Sequence, residues 1–276
     1  MVIAAAGALA WKMLFFYLLA PIAVRCRPVR VEAPRTADDP GPVLEHASAV
    51  SLKLTIGPQR ELLVKNEYLQ DSPHGIQART RWLLNWRYPF TSLASRMIGL
   101  TRLAADWPAA VTVSPSLIPF EELASIELAA DGGFVLQPRH LVGLLQDPSN
   151  PISIRSVWRL GSLHSWLTWQ FRYLVFHGPG TVIVKGCRGV RIECPDAQRR
   201  ISADATVGFS ASLAYANART ETFIPYLLGL KPLFTDRFSG NGVYAYQEVP
   251  AGAQRAGVVE RTIMEAFDGV LRAFGV

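Results

Sequence analysis

The stretch "FHGPGTVIVKG" (residues 176–186) returns as "FSGNGVYAYQE" (residues 238–248), so that Phe176, Gly178 and Gly180 are matched by Phe238, Gly240 and Gly242. A glycine loop that grips phosphate leads into a helix N-terminus, whose unpaired N–H groups meet the anion. These glycines lead instead into "TVIVKG" and "VYAYQE", rich in β-branched and aromatic residues, which are strand sequences. The glycines therefore read as structural turn residues, supplying positive φ and close packing.

Two further anchors recur in the same order. "HLVGLL" and "ATVGFS" set Val142-Gly143 against Val207-Gly208, and "RLGSLHSW" and "LLGLKPLF" set Leu160-Gly161 against Leu228-Gly229. Three ordered anchors imply two copies of a unit of roughly 65 residues, with a weaker third copy beginning at "LLVKNEYLQ". The local patterns read as hairpins: "SLKLTI" with "ELLVKNEYLQ", and "SIELAA" with "FVLQ" across Asp131-Gly132-Gly133. Short strands with Gly or Pro turns at such spacing predict a mainly β fold, an antiparallel β-sandwich of pseudo-symmetric repeats.

The segments "ELASIELAADGGFVLQPRHLVGLL", "FHGPGTVIVKG", "ADATVGFSASLAY" and "LGLKPLFTDRFSGNGVYAYQEVP" resemble the altered inheritance of mitochondria protein twenty-four family, over about residues 50 to 250. The "GLKPLFTDRFSGNGVY" stretch is the most specific of them. The resemblance implies a fold like the tryptophan RNA-binding attenuator, with internal pseudo-symmetry. The family has no established catalytic residues, so none carries over. Two departures stand out: an apolar N-terminal segment, and Trp- and Arg-bearing segments where the family has Gly-rich ones.

The chain of 276 residues is 50% hydrophobic, with net charge +6 and mean hydropathy +0.18. The basic bias suits an anionic membrane surface or an acidic partner. Without long runs of Lys and Arg, nucleic acid is not an expected partner. Residues 1–24, "MVIAAAGALAWKMLFFYLLAPIAV", carry one charge, Lys12. As one straight helix they would measure about 36 Å, against about 30 Å of hydrocarbon, so a retained transmembrane anchor is expected. "PIA" is a poor signal-peptidase site. Arg25, Arg27 and Arg30 follow at once and place the body on the cytoplasmic side. The expected organisation is anchor 1–24, extended linker 25–47, β domain 48–250 and an amphipathic C-terminal helix 251–276 with Ile263 and Phe274 on its apolar stripe.

No chemistry-bearing motif emerges. The five histidines show no i, i+2 or i, i+4 spacing and there is no Cys-x-x-Cys, so no metal or cofactor is expected. Cys26, Cys187 and Cys194 read as free thiols. Glu121-Glu122 reads as a solvated strand entrance, and Asp204 occupies the position that Arg139 has in the preceding copy. Two surfaces look built for contact. "ARTRWLLNWRYPF" (78–90) interleaves Arg79, Arg81 and Arg87 with Trp82, Trp86 and Tyr88, a composition suited to a membrane interface or a protein hot spot. "TSLASRMIGLTRLAADW" (91–107) has helical spacing at Leu93, Met97, Leu100 and Trp107. The expected role is a non-catalytic accessory or scaffolding subunit of an integral membrane protein complex, in contact with membrane lipid. A free-standing lipid- or ligand-binding module and an enzyme with an unrecognised site are the alternatives.

Overall fold

The computed structural model describes residues 2–25, 28–32, 43–84, 86, 89, 92, 97–115, 120–130, 132–158, 166, 171–196 and 200–249. The expected C-terminal helix, with Ile263 and Phe274, lies outside the described residues, as do Arg87 and Tyr88.

Three copies of a six-stranded unit make the body. The first comprises β2 (Leu52–Ile56), β3 (Glu61–Lys65), β4 (Leu69–Asp71), β5 (Gln77–Leu83), β6 (Ile98–Ala104) and β7 (Ala109–Val113). The second comprises β8 (Glu121–Leu128), β9 (Gly133–Leu136), β10 (Leu141–Gln146), β11 (Ser153–Trp158), β12 (Arg172–His177) and β13 (Gly180–Cys187). The third comprises β14 (Val190–Glu193), β15 (Ile201–Ser202), β16 (Thr206–Ser210), β17 (Ala214–Arg219), β18 (Phe234–Ser239) and β19 (Tyr244–Gln247). An additional strand, β1 (Val43–Ala49), pairs with β8. The weak third copy expected from "LLVKNEYLQ" is thus the first unit.

Every unit folds by one rule. Its sixth strand pairs antiparallel with its first and third, and its fifth pairs with its second and fourth. Neighbouring units then join through one ladder, the third strand of the later unit against the second strand of the earlier: β10 on β3, and β16 on β9. This fusion gives a seven-stranded sheet, β1-β8-β13-β10-β3-β6-β5, and a six-stranded sheet, β11-β12-β9-β16-β19-β14. The remaining half-units form the three-stranded sheets β2-β7-β4 and β15-β18-β17. No ladder joins β4 to β15 among the described residues, and both are short strands, as exposed edges commonly are.

The hydrophobic pattern explains the layering. One cluster, with Leu63, Ile126, Phe134 and Phe176, fills the space between the seven- and six-stranded sheets. A second, with Ile56, Leu62, Val64 and Val111, lies between β2-β7-β4 and the seven-stranded sheet. A third, with Tyr173, Phe209, Tyr215 and Phe238, lies between the six-stranded sheet and β15-β18-β17. In β3, Leu63 therefore faces one core while Leu62 and Val64 face another, and every residue of the strand is buried.

This topology corrects the hairpin readings. β2 and β3 belong to different sheets, as do β8 and β9. The first strand of each pair needs its apolar face covered, and the chain turns a corner to supply the covering layer. The true hairpins are β5–β6, β11–β12 and β17–β18. Of the stretch 91–107 with helical spacing, 91 and 93–96 lie outside the described residues, and 97–107 is not helical. Residues 98–104 form β6, and the spacing of Met97, Leu100 and Leu103, each fully buried, is satisfied by a strand whose faces meet two cores.

The N-terminal segment is helical but broken: α1 (Val2–Leu14), a π-helical turn (Phe15–Leu19) and α2 (Ala20–Val24). No helix among the described residues is long and apolar enough to cross a membrane, so the expected transmembrane helix is not seen. Pro21 is the cause. It carries no N–H, and the N–H of Ala20 reaches back to Phe15 O, so neither bonds Phe16 O. The Arg219 guanidinium supplies the missing donor at 3.2 Å and lies over the Phe16 ring at 4.6 Å. Phe16, Ala20 and Ala23 form a buried stripe, the two alanines clustering with Phe234. Residues 28–32 do not space the helix from the body, as an extended linker would. Val29 and Tyr215 exchange backbone hydrogen bonds of 2.7 Å, and Glu32 N–H donates to Ala211 O.

The repeated glycines are sheet-to-sheet corners. Gly180 and Gly242 have φ of +153° and +148°, and Gly240 has +109°. A Cβ on Gly180 would sit 2.8 Å from Ile152, and one on Gly242 would sit 2.9 Å from Ser210. Gly178 is held by crowding, since a Cβ there would collide with the carbonyl oxygens of Leu128 and Ala129. Gly180→Val and Gly242→Val should each cost about 2 kcal/mol or more, a melting temperature lower by roughly 5 °C. Thermal denaturation of the two variants checks this.

Candidate functional site

β5 is the outer strand of the seven-stranded sheet, so its side chains meet solvent along most of their length. The pleat separates the two residue types that the sequence interleaves. Arg79 and Arg81 share one face, and Trp82 takes the other. Arg79 lies directly opposite Arg102 of β6, a like-charge pair that is unfavourable by itself. Glu61, at the start of β3, offsets it. Its carboxylate is buried, pairs closely with Arg102, stands 3.8 Å from Arg81 and accepts 2.8 Å from Gln146 Nε2. Gln146 Oε1 in turn accepts from Ile152 N–H, which fixes the amide. The result is an open groove of about 440 Å³ bordered by these groups with Thr80, Pro148 and Pro151. Three guanidinium groups and one carboxylate line it, so the groove attracts anions. Arg102, Glu61 and Gln146 were not legible as site residues, because only the β3–β6–β5 ladder brings them to Arg79 and Arg81.

The aromatic members stand free of the core. Trp82 is 69% exposed and Trp86 73%. The register places Trp158 at the end of β11 where Trp82 ends β5, and it is 54% exposed, with Arg172 stacked over it at 5.4 Å. The matching position in the third unit is Arg219, the residue that holds the N-terminal helix. Thus the hairpin ends of the first two units carry exposed tryptophan, while that of the third carries the helix.

The third hairpin end is built by α3 (Phe223–Leu227) and the turn after it. Phe223 and Tyr226 pack on Phe16 with ring centroids 5.2 and 5.9 Å apart. Lys12 donates to Leu227 O at 2.8 Å, with its ammonium 5.6 Å from the Tyr226 ring centre. The one charge of residues 2–24 therefore points to the body.

A polar cluster lies at the junction of the first two units. Lys185 Nζ donates 2.9 Å hydrogen bonds to both Glu121 and the Tyr68 hydroxyl, and Tyr68 donates to Glu121 at 3.0 Å. Glu121 is therefore an ion-pair partner and not merely a solvated entrance. His140 is buried close by, with Nδ1 2.9 Å from Lys185 O and Arg139 Nε donating to Nε2. Arg139 also donates to Asp204 O at 3.4 Å, so the two residues paired by the repeat touch one another. Burial and the neighbouring Arg139 charge hold the His140 pKa well below its usual 6.5. Cys187 is a buried thiol outside any disulfide, raised in pKa by that burial, and Cys194 is exposed and likewise outside any disulfide. Among the described residues, no group of three His, Cys, Asp or Glu is placed to hold a metal ion.

No family model matches the chain, and no curated protein sequence matches it. Among solved structures, protein SPYM3_0169 from Streptococcus pyogenes superposes with a TM-score of 0.50 at 13% identity, covering 81% of this chain and 94% of that one. At that identity the likeness speaks to the fold alone.

Because His140 has a lowered pKa in the folded state, the unfolded chain binds more protons once pH falls below about 6.5. That contribution to stability is complete above the unfolded value and is lost on acidification. The melting temperature should fall between pH 7 and pH 5, and His140→Gln should flatten the slope. Melting curves of both proteins across that range test the assignment.

Proposed function

We propose that this chain is a non-catalytic, membrane-anchored accessory or scaffolding subunit of a larger membrane protein complex, respiratory and photosynthetic assemblies being the natural candidates. The observation that carries the reading is the N-terminal helix, whose outward side chains are apolar and whose single lysine is turned onto the body. Apolar surface of that extent needs a covering, and lipid or an integral membrane partner supplies one. Arg25, Arg27 and Arg30 favour the body on the cytoplasmic side. Exposed Trp82 and Trp86 suit a protein hot spot, where a few aromatic side chains carry most of the affinity. The resemblance to the altered inheritance of mitochondria protein twenty-four family agrees with a role without catalysis.

A second reading, a free-standing lipid- or ligand-binding module, is favoured by the arginine groove around Glu61. Migration in mild detergent separates the two, since a subunit travels with a large complex and a module travels alone.

Deleting residues 1–24 should release the body from membranes, and Trp86→Ala should weaken its association with the complex by tenfold or more, at about 2 kcal/mol, without altering its circular dichroism. Sedimentation and co-purification yield are the readouts. A truncated body that still sediments after a high-salt wash contradicts the anchor. Unfolding by Trp86→Ala contradicts a surface role for that tryptophan.

A further inference from the structure

The helix does not stand away from the body, and that changes how it can meet a bilayer. Phe16, Ala20 and Ala23 are committed to the third unit, Arg219 holds Phe16 O, and the strap at Val29 ties the helix end to Tyr215. A helix crossing a bilayer would have to withdraw this stripe from the protein. Lys12 is held by Leu227 O as well, so the helix before it, residues 2–11 at about 15 Å, is enough for one leaflet and short of about 30 Å of hydrocarbon.

Two elements carry exposed apolar side chains here. Trp11, Leu18 and Ile22 are 61%, 54% and 47% exposed on the helix. α3 packs Phe223 and Tyr226 on Phe16, and α3 with the turn after it presents Ile224, Leu228 and Leu230, at 67%, 63% and 71% exposure. The sequence of the helix and its exit is basic. Residues 1–31 contain Lys12, Arg25, Arg27 and Arg30 and no acidic residue, and Lys231 follows the α3 turn. Of the acids that follow, Glu32 pairs closely with His177, and the exposed Glu221 lies 3.4 Å from Arg200. An apolar face with a basic margin matches an anionic lipid surface, which offers hydrocarbon beneath negative headgroups.

We infer that the N-terminal helix and the α3 turn form one composite face that enters a single leaflet of an anionic bilayer, with the helix lying along the body and not spanning the membrane. This rests on the proposed membrane association and specifies its mode. A monotopic face holds by the sum of its inserted side chains, so each one counts. A spanning helix holds by itself, in a manner close to irreversible, and is indifferent to α3.

The experiment uses the full chain and flotation on vesicles of phosphatidylcholine and phosphatidylglycerol. Leu228→Asp combined with Leu230→Asp alters exposed positions, and Leu228→Met combined with Leu230→Met is the conservative control. The aspartate pair should lower the partition coefficient about tenfold or more, with the methionine pair near the parent protein. Parental binding of the aspartate variant, together with release on deleting residues 1–24, overturns the composite face and leaves a spanning helix. Persistent binding after that deletion overturns the membrane reading of the helix altogether. Loss of a self-associated species by the aspartate variant, with vesicle binding unchanged, assigns the face to a second copy of the chain and also overturns the proposal.

Discussion

Gly143 and Gly208 mark the places where one unit's third strand runs against the second strand of the unit before it. A Cβ on Gly143 would lie 2.6 Å from Leu63 O, and one on Gly208 would lie 2.6 Å from Val135 O. The two backbones approach so closely that no side chain fits between them. The fusion of half-units into larger sheets depends on this approach. Once β10 lies on β3 and β16 on β9, the sixth strands must cross to the adjoining layer, and the corners at Gly178–Gly180 and Gly240–Gly242 follow. The fourth and fifth strands are left to project as hairpins, whose ends carry the tryptophans and the helix seat.

Those hairpins are where three equivalent units acquire different roles. The first adds a third arginine at position 102 and draws on the buried carboxylate of Glu61 to hold it. The second keeps Trp158 stacked under Arg172. The third replaces the tryptophan with Arg219, whose guanidinium meets both the ring and the orphaned carbonyl of Phe16. A proline in the helix and an arginine in the sheet therefore form one device. Pro21 frees the acceptor, and Arg219 occupies it.

Much of the fold was legible because the repeat was written in glycine. Phe176-x-Gly-x-Gly and Val142-Gly143 each return with the same offsets, and crowding or positive φ at those points admits no substitute. Strand partners were less legible. "SLKLTI" and "ELLVK" sit next to each other in sequence and alternate as a hairpin would, yet they face each other across a core, and alternation alone does not distinguish the two arrangements. Leu93, Met97, Leu100 and Trp107 read as helical by spacing, whereas Leu100 and Leu103 of β6 face two different cores. At the candidate surface, Arg79, Arg81, Trp82 and Trp86 were visible by composition. Glu61, Gln146 and Arg102 were not, since the ladder that unites them spans 85 residues between Glu61 and Gln146. The docking of residues 16–23 was hidden too, because an apolar stripe bound for lipid and one bound for protein look alike in sequence.

The central claim is that the N-terminal helix belongs to the body while the protein is on its membrane. Ala23 and Phe234 share a buried cluster, which makes their proximity the most direct observable. Cross-linking of the doubly substituted Ala23→Cys, Phe234→Cys chain by a short bis-thiol reagent in native membranes reports it. A docked helix gives an intramolecular product that depends on both substitutions. Absence of that product in membranes, with its appearance after detergent extraction, would mean that the helix leaves the third unit when lipid is present, and would contradict the account.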